Sequence, residues 1–138
     1  MEPMTGGCQC GAVRYTITGT PRRLTACHCT DCQRQSGSAF GMSLVVAAED
    51  FRLTEGELAR HETVSAAGRR KAGCFCPACG TRIYHQAEWR RGDLTVKPGT
   101  LDDTSGLVPD MHIWTASKQP WVVIPEDVES HPGQPPRP

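Results

Sequence analysis

An all-β domain held together by metal is what the patterning of this chain predicts, on three observations. Apolar and polar residues alternate with period two in several short runs. Gly, Pro and Asp bound those runs. All eight cysteines fall into three tight clusters. The length of 138 residues suits one domain, expected over 1–129. Residues 130–138 are mostly Pro, Gly and polar, too poor in apolar side chains to bury a core, and are expected to be a disordered tail.

The strands follow in chain order. In 12–18, Val13, Tyr15 and Ile17 share one side and Arg14, Thr16 and Thr18 the other, which is the mark of a half-buried strand. Phe40, Met42, Leu44 and Val46 repeat the pattern. The runs 82–85, 94–97, 111–114 and 121–124 are short, rich in β-branched or aromatic residues, and read as strands. One helical turn is expected over 30–35, with Asp31 near its start and Gly37 just past its end. The stretch 47–60 reads better as a short strand and a turn than as a helix, because Gly56 interrupts it. Turns are expected at 54–56, 68–71 and 91–93.

Charge and hydropathy narrow the function. Lys plus Arg and Asp plus Glu each number 15, so the formal net charge is zero. A nucleic-acid binder or a polybasic membrane anchor needs a positive excess, and neither is expected. Apolar runs such as 44–48 are far too short to span a bilayer. The opening MEPMTGGCQC has no basic or apolar region of a secretory signal, so a cytoplasmic, reducing location is expected. Eight cysteines there point to metal rather than to disulfides.

The clusters are Cys8-Gln9-Cys10, Cys27-His28-Cys29-Thr30-Asp31-Cys32, and Cys74-Phe75-Cys76-Pro77-Ala78-Cys79-Gly80. Cys76 and Cys79 form a zinc knuckle: two intervening residues let both sulfurs meet one ion, and Gly80 relieves crowding where the backbone turns. A closed tetrahedral site needs two more ligands, and Cys8 with Cys10, followed by its own Gly11, supplies them most simply. Such four-thiolate sites are structural. A redox reading of Cys76 and Cys79 would need a βαβ unit, which the sequence does not offer.

Cys27, Cys29 and Cys32 offer three thiolates, the ligand number that leaves a catalytic metal one open position. Water, a substrate thiolate or a side chain could take the fourth place. The side-chain candidates are Cys74, His28, His85 and His112. His28 alternates away from its neighbours in an extended segment. Cys74 reads as a buried small hydrophobe or free thiol.

These motifs resemble the glutathione-dependent formaldehyde-activating enzyme family, which includes centromere protein V-like domains. The resemblance rests on the run from Gly6 to Tyr15, on Cys27 to Cys32 continuing to Ser38, on Phe75 to Thr81, and more weakly on His112-Ile113-Trp114 with Ser117-Lys118 and Trp121. It implies a β-tent of stacked antiparallel sheets with short zinc-knuckle turns. It implies two zinc ions, one structural on Cys8, Cys10, Cys76 and Cys79, and one labile on Cys27, Cys29 and Cys32. It also implies a carbon–sulfur lyase acting on S-(hydroxymethyl)glutathione, with glutathione or a similar small thiol as partner. Gln33 departs from the family pattern, in which Arg commonly follows the third thiol; here Arg34 comes one place later.

As an enzyme, the chain must supply a thiolate at neutral pH, where a free thiol is mostly protonated. A thiol such as glutathione carries carboxylates, and Arg binds carboxylate bidentately. Among Arg22, Arg23, Arg34, Arg69, Arg70 and Arg82, Arg34 is expected to bind substrate because it adjoins the open site. Ser36 is expected beside it as a donor, though it could equally cap the turn. The rival class is a non-catalytic zinc scaffold that binds a protein, since a fold does not fix a function. Thiol–disulfide exchange through Cys76 and Cys79 is a third reading.

Overall fold

The structure is a computed structural model, and it describes residues 2–65 and 68–135. The elements run β1 (Met4–Gly7), β2 (Arg14–Ile17), β3 (Arg23–Cys27), α1 (Thr30–Ser36), β4 (Gly41–Ala47), β5 (Phe51–Glu55), β6 (Ala59–Val64), β7 (Arg70–Phe75), β8 (Arg82–Ala87), β9 (Asp93–Val96), β10 (Met111–Ile113) and β11 (Glu129–Ser130). A three-stranded antiparallel sheet has the order β1-β2-β5. A second sheet of eight strands has the order β11-β10-β3-β4-β9-β8-β7-β6.

The expected all-β tent of stacked antiparallel sheets does not form. The large sheet is mixed, because β10 runs parallel to both β3 and β11. The long connection after β9 returns the chain beside β3 in the same direction. Neither sheet closes on itself, and a helix is present. That helix exceeds the single turn expected because both its ends are capped. Cys29 is extended and its sulfur accepts from the Cys32 amide at 3.2 Å, while Gly37 takes the left-handed conformation that ends a helix.

The run 121–124 is not a strand either. Pro120 and Pro125 flank it and bring no amide donors, and the Val122 carbonyl accepts from Lys118 Nζ at 3.0 Å. Trp121 and Val123 are accordingly 71% and 87% exposed. At the C-terminus, β11 straddles the expected boundary at 129, and His131 N–H donates to the His112 carbonyl at 3.0 Å. Residues 136–138 of the expected tail lie outside the described residues.

The core lies between the sheets. Val13, Tyr15 and Ile17 of the β2 segment, each 1% exposed, meet Leu44, Val46, Ile83, Leu94 and Val96 of the large sheet. The Tyr15 ring stacks on Phe51, which meets Tyr84 edge-on. Residues opposite each other in register share a face, so Leu44, Val96, Tyr84 and Cys74 form one row on the core side. One step along, Val45, Thr95, His85 and Gly73 form a row on the other side. Cys27, opposite Gly41, and Lys97, two positions on from Thr95, share that second face with α1. No described helix is long and apolar enough to cross a membrane.

Candidate metal centres

Two turns of the same plan build the first centre. The Cys8 amide donates to the Val13 carbonyl at 3.1 Å, and Gly11, at φ +82°, donates back to the Cys8 carbonyl at 3.2 Å. The Cys76 amide donates to the Thr81 carbonyl at 2.9 Å, and Gly80, at φ +80°, donates to the Cys76 carbonyl at 2.8 Å. A positive φ at both points is what glycine permits, and it aims each turn's sulfurs inward. Cys8 follows β1 of the small sheet and Cys76 follows β7 of the large one, so the centre fastens the two sheets together. Thr81 ties the turns to each other: its hydroxyl accepts from the Gln9 amide at 3.1 Å and donates to Cys79 Sγ at 3.2 Å.

The sulfurs of Cys8, Cys10, Cys76 and Cys79 all lie within 4.8 Å of one another. Cys8 to Cys10 is 3.6 Å and Cys10 to Cys76 is 3.9 Å. A zinc ion at its usual ~2.3 Å from each sulfur of a tetrahedron sets them about 3.8 Å apart, so the donor set fits that ion. The Thr81 hydroxyl, then the amides of Thr81 and Cys10, push the Cys79 thiol down to about 5. Burial opposes ionisation of Cys8, but the Val13 amide and the Cys10 and Cys76 thiols outweigh it and leave that thiol below its ordinary value. The Ala12 amide favours a Cys10 thiolate, yet donation to Cys8 and Cys79 holds Cys10 up at about 11.

The second centre is local. Cys27 ends β3, Cys29 caps α1, and Cys32 sits in its first turn, with the three sulfurs within 4.8 Å of one another. Of the three thiols, Cys29 ionises most readily. Hydrogen bonds from Cys27 and Cys32, with help from the Cys32 amide and Lys71, push Cys29 down to about 2. Donation to Cys29, first among the causes, pushes Cys27 up, and Cys32 also ends raised. Three convergent sulfurs with a shared thiolate suit a soft cation such as zinc.

No fourth His, Cys, Asp or Glu among the described residues joins that trio within 4.8 Å. His28 is fully buried, its Nε2 is 2.8 Å from His112 Nδ1, and its ring lies 5.0 Å from that of Phe40. Cys74 is on the core face, 4% exposed and opposite Tyr84 in register, and belongs to neither centre. His85 accepts from Arg82 Nη1 at 3.3 Å. Burial first, then the cations Lys97, Arg82 and Lys71, drive His85 down to about 2, so it stays neutral.

Arg34 and Ser36 are not brought to the sulfurs in an equivalent way. Two positions along a helix turn it through about 200°, so Arg34 leaves α1 on the side away from Cys32. There it lines an open cavity of about 370 Å³ with Thr30, Gln33, Gly37 and Ser38. Ser36 lies one turn on from Cys32, but its hydroxyl donates to the Cys32 carbonyl at 2.7 Å. Gln33 acts as a brace: its amide nitrogen donates to the carbonyls of His28 and Ser117, both at 2.9 Å, and its oxygen accepts from Gln119 at 2.8 Å.

Sequence reasoning overlooked Lys97 and left Arg82 unranked. Lys97 Nζ donates to the Met42 carbonyl at 3.2 Å. A Cβ built on Gly41 would stand 3.7 Å from both Cys32 Sγ and Lys97 Nζ, which places that ammonium beside the trio. The available signal was a Lys continuing the half-buried polar face of Asp93 and Thr95, opposite the buried Leu94 and Val96.

Comparison with known proteins gives a family and a similar fold. A crystal structure of a Rhodobacter sphaeroides protein, determined as a structural genomics target, is similar in fold at a TM-score of 0.59 and 23% identity. The match covers 77% of this chain and 92% of that one. The profile of the glutathione-dependent formaldehyde-activating enzymes matches residues 3–117, a span that contains both centres. The chain belongs to the glutathione-dependent formaldehyde-activating enzyme family.

Proposed function

We propose that the chain is a zinc-dependent carbon–sulfur lyase that joins a small thiol to formaldehyde and releases it again, with S-(hydroxymethyl)glutathione as the adduct. The observation that carries this reading is the trio Cys27, Cys29 and Cys32, three convergent sulfurs with no fourth protein donor among the described residues. In the forward direction the thiol sulfur's electron pair forms the carbon–sulfur bond. The carbonyl π pair moves to oxygen, which takes up the proton the thiol gave up. A zinc ion on the trio, when bound, supplies a Lewis-acidic position where a thiol is held deprotonated at neutral pH.

The chain's own residues do the rest. Cys29, at the first turn of α1, accepts from the Cys32 amide, which fixes the direction of its sulfur. Gln33 and the Ser117 hydroxyl both bond the His28 carbonyl at 2.9 Å, and so hold the segment between Cys27 and Cys29 in one shape. The Lys97 ammonium offsets the negative charge of three thiolates. In this reading Cys8, Cys10, Cys76 and Cys79 hold a second zinc that takes no part in the reaction.

The test is an exchange assay on protein carrying two zinc equivalents, following formation of S-(hydroxymethyl)glutathione from glutathione and formaldehyde above the spontaneous rate. Cys29→Ser is expected to keep the fold, lose one zinc equivalent and lose at least about a hundredfold in rate, the scale of removing a principal catalytic group. Fully zinc-loaded protein with no acceleration for any cellular thiol would defeat the enzyme reading in favour of a zinc scaffold.

A further inference from the structure

A cationic floor lies beside the second centre. Lys97 and Lys71, with the neutral His85 alongside, come from β9's end, β7 and β8, all on the face that carries Cys27 and α1. Arg82 joins them by crossing Gly73, where a Cβ would stand 1.4 Å from Arg82 Nη1. The missing side chain at Gly73 is therefore what lets the guanidinium lie flat against β7. His85 Nε2 accepts one of its protons at 3.3 Å, and Phe75 lies under it with the ring centroid 5.9 Å away.

Only one carboxylate, Asp31, reaches this floor among the described residues. Among the described residues no carboxylate lies within 4.0 Å of Arg82 or Lys97, and Lys71 reaches Asp31 only at 3.9 Å. A half-buried cation without a counter-charge is costly, and such groups are retained where an anion comes to them. Three thiolates around one divalent ion carry a single net negative charge and Asp31 adds one more, so the three cations still leave a positive excess of one over a loaded centre. Lys97 uses one of its three protons on Met42, and Arg82 one of its five on His85, which leaves donors for a ligand. Lys71 also borders a second basic hollow, about 470 Å³ around Arg60 and Arg70, but that hollow contains its own Glu62 and Glu88.

We propose that Arg82, Lys97 and Lys71 form a carboxylate-binding subsite that selects thiols bearing an acid group near the sulfur. This rests on the reading that the thiol sulfur meets the Cys27, Cys29 and Cys32 centre. The subsite supplies what Arg34, facing the other way, does not.

The experiment is calorimetric titration of zinc-loaded protein with glutathione and with glutathione diethyl ester, which keeps the thiol and removes both carboxylates. Glutathione is expected to bind at least about tenfold more tightly, about 1.4 kcal/mol. Arg82→Gln is expected to erase most of that ratio while leaving ester affinity and zinc content unchanged, and Arg82→Lys to retain part of it. Gly73→Ala should act like Arg82→Gln, because it displaces the guanidinium without removing its charge. Equal binding of acid and ester by the wild type would overturn the subsite and leave the thiol reading standing. If neither compound binds, both the subsite and the thiol reading are overturned. Parallel loss of acid and ester affinity in Arg82→Gln, with loss of zinc, would make Arg82 a support of the centre and not a ligand contact.

Discussion

The two sulfur centres use one element in opposite ways. The first joins cysteines 66 positions apart and pins a three-stranded sheet to an eight-stranded one. The second lies wholly between 27 and 32, at the end of one strand and the start of one helix. In the first, two glycine-closed turns supply four donors and leave no place for a ligand. In the second, the chain stops at three. The difference teaches that binding energy at a metal becomes folding energy only where the ligands come from separated parts of the chain. A local centre can lose its ion without the sheets noticing, which suits it to chemistry.

The largest effect should come from breaking the first centre. Cys79→Ala is expected to abolish the cooperative melting transition, since structural zinc is worth roughly 10–16 kcal/mol in small domains whose whole stability is about 5–15 kcal/mol. A wild-type melting curve for that variant would erase the distinction between the centres. A smaller effect should come from crowding the second. Gly41→Ala puts a methyl 3.3 Å from Cys32 Cβ, closer than side chains usually pack. We expect zinc in that centre to dissociate about tenfold faster, about 1.4 kcal/mol of lost affinity, with the melting temperature nearly unchanged. The smallest effect concerns Cys74, which neither centre includes. Cys74→Ser should keep the full zinc content and lose about 1 kcal/mol of stability by burying a hydroxyl in the core beside Tyr84. Loss of one zinc equivalent there would make Cys74 a ligand of the second centre and close it.

Much of the first centre was legible because its chemistry is written in short spacings. Cys76-Pro77-Ala78-Cys79-Gly80 and Cys8-Gln9-Cys10-Gly11 each encode a turn that their glycines make possible. The half-buried strands were legible for a similar reason: Val13, Tyr15 and Ile17 alternate because one face of β2 meets the core. β3 was missed because Leu24, Thr25 and Ala26 are all buried, so no alternation survives. β6 was missed because it lies at the sheet edge and is mostly exposed, with His61, Glu62 and Thr63 in place of an apolar stripe. The parallel pairing of β10 with β3 could not be read from any local pattern, since it depends on where a long connection returns. The cations were hidden for the same reason: Arg82, Lys97 and Lys71 become neighbours only through the register of β7, β8 and β9. Proximity along the chain pointed to Arg34, and the turn of the helix carries that side chain away.

The central claim is that one centre holds the fold and the other meets the thiol. It is tested most directly by adding a mild chelator to protein with two zinc equivalents, while following zinc release and the β-sheet circular dichroism, with and without glutathione. The account predicts that one equivalent leaves with the strands intact and that glutathione changes its rate, by protecting the ion if thiol fills the open position or by competing it away. Simultaneous release of both equivalents with loss of the sheet signal, at a rate indifferent to glutathione, would contradict it.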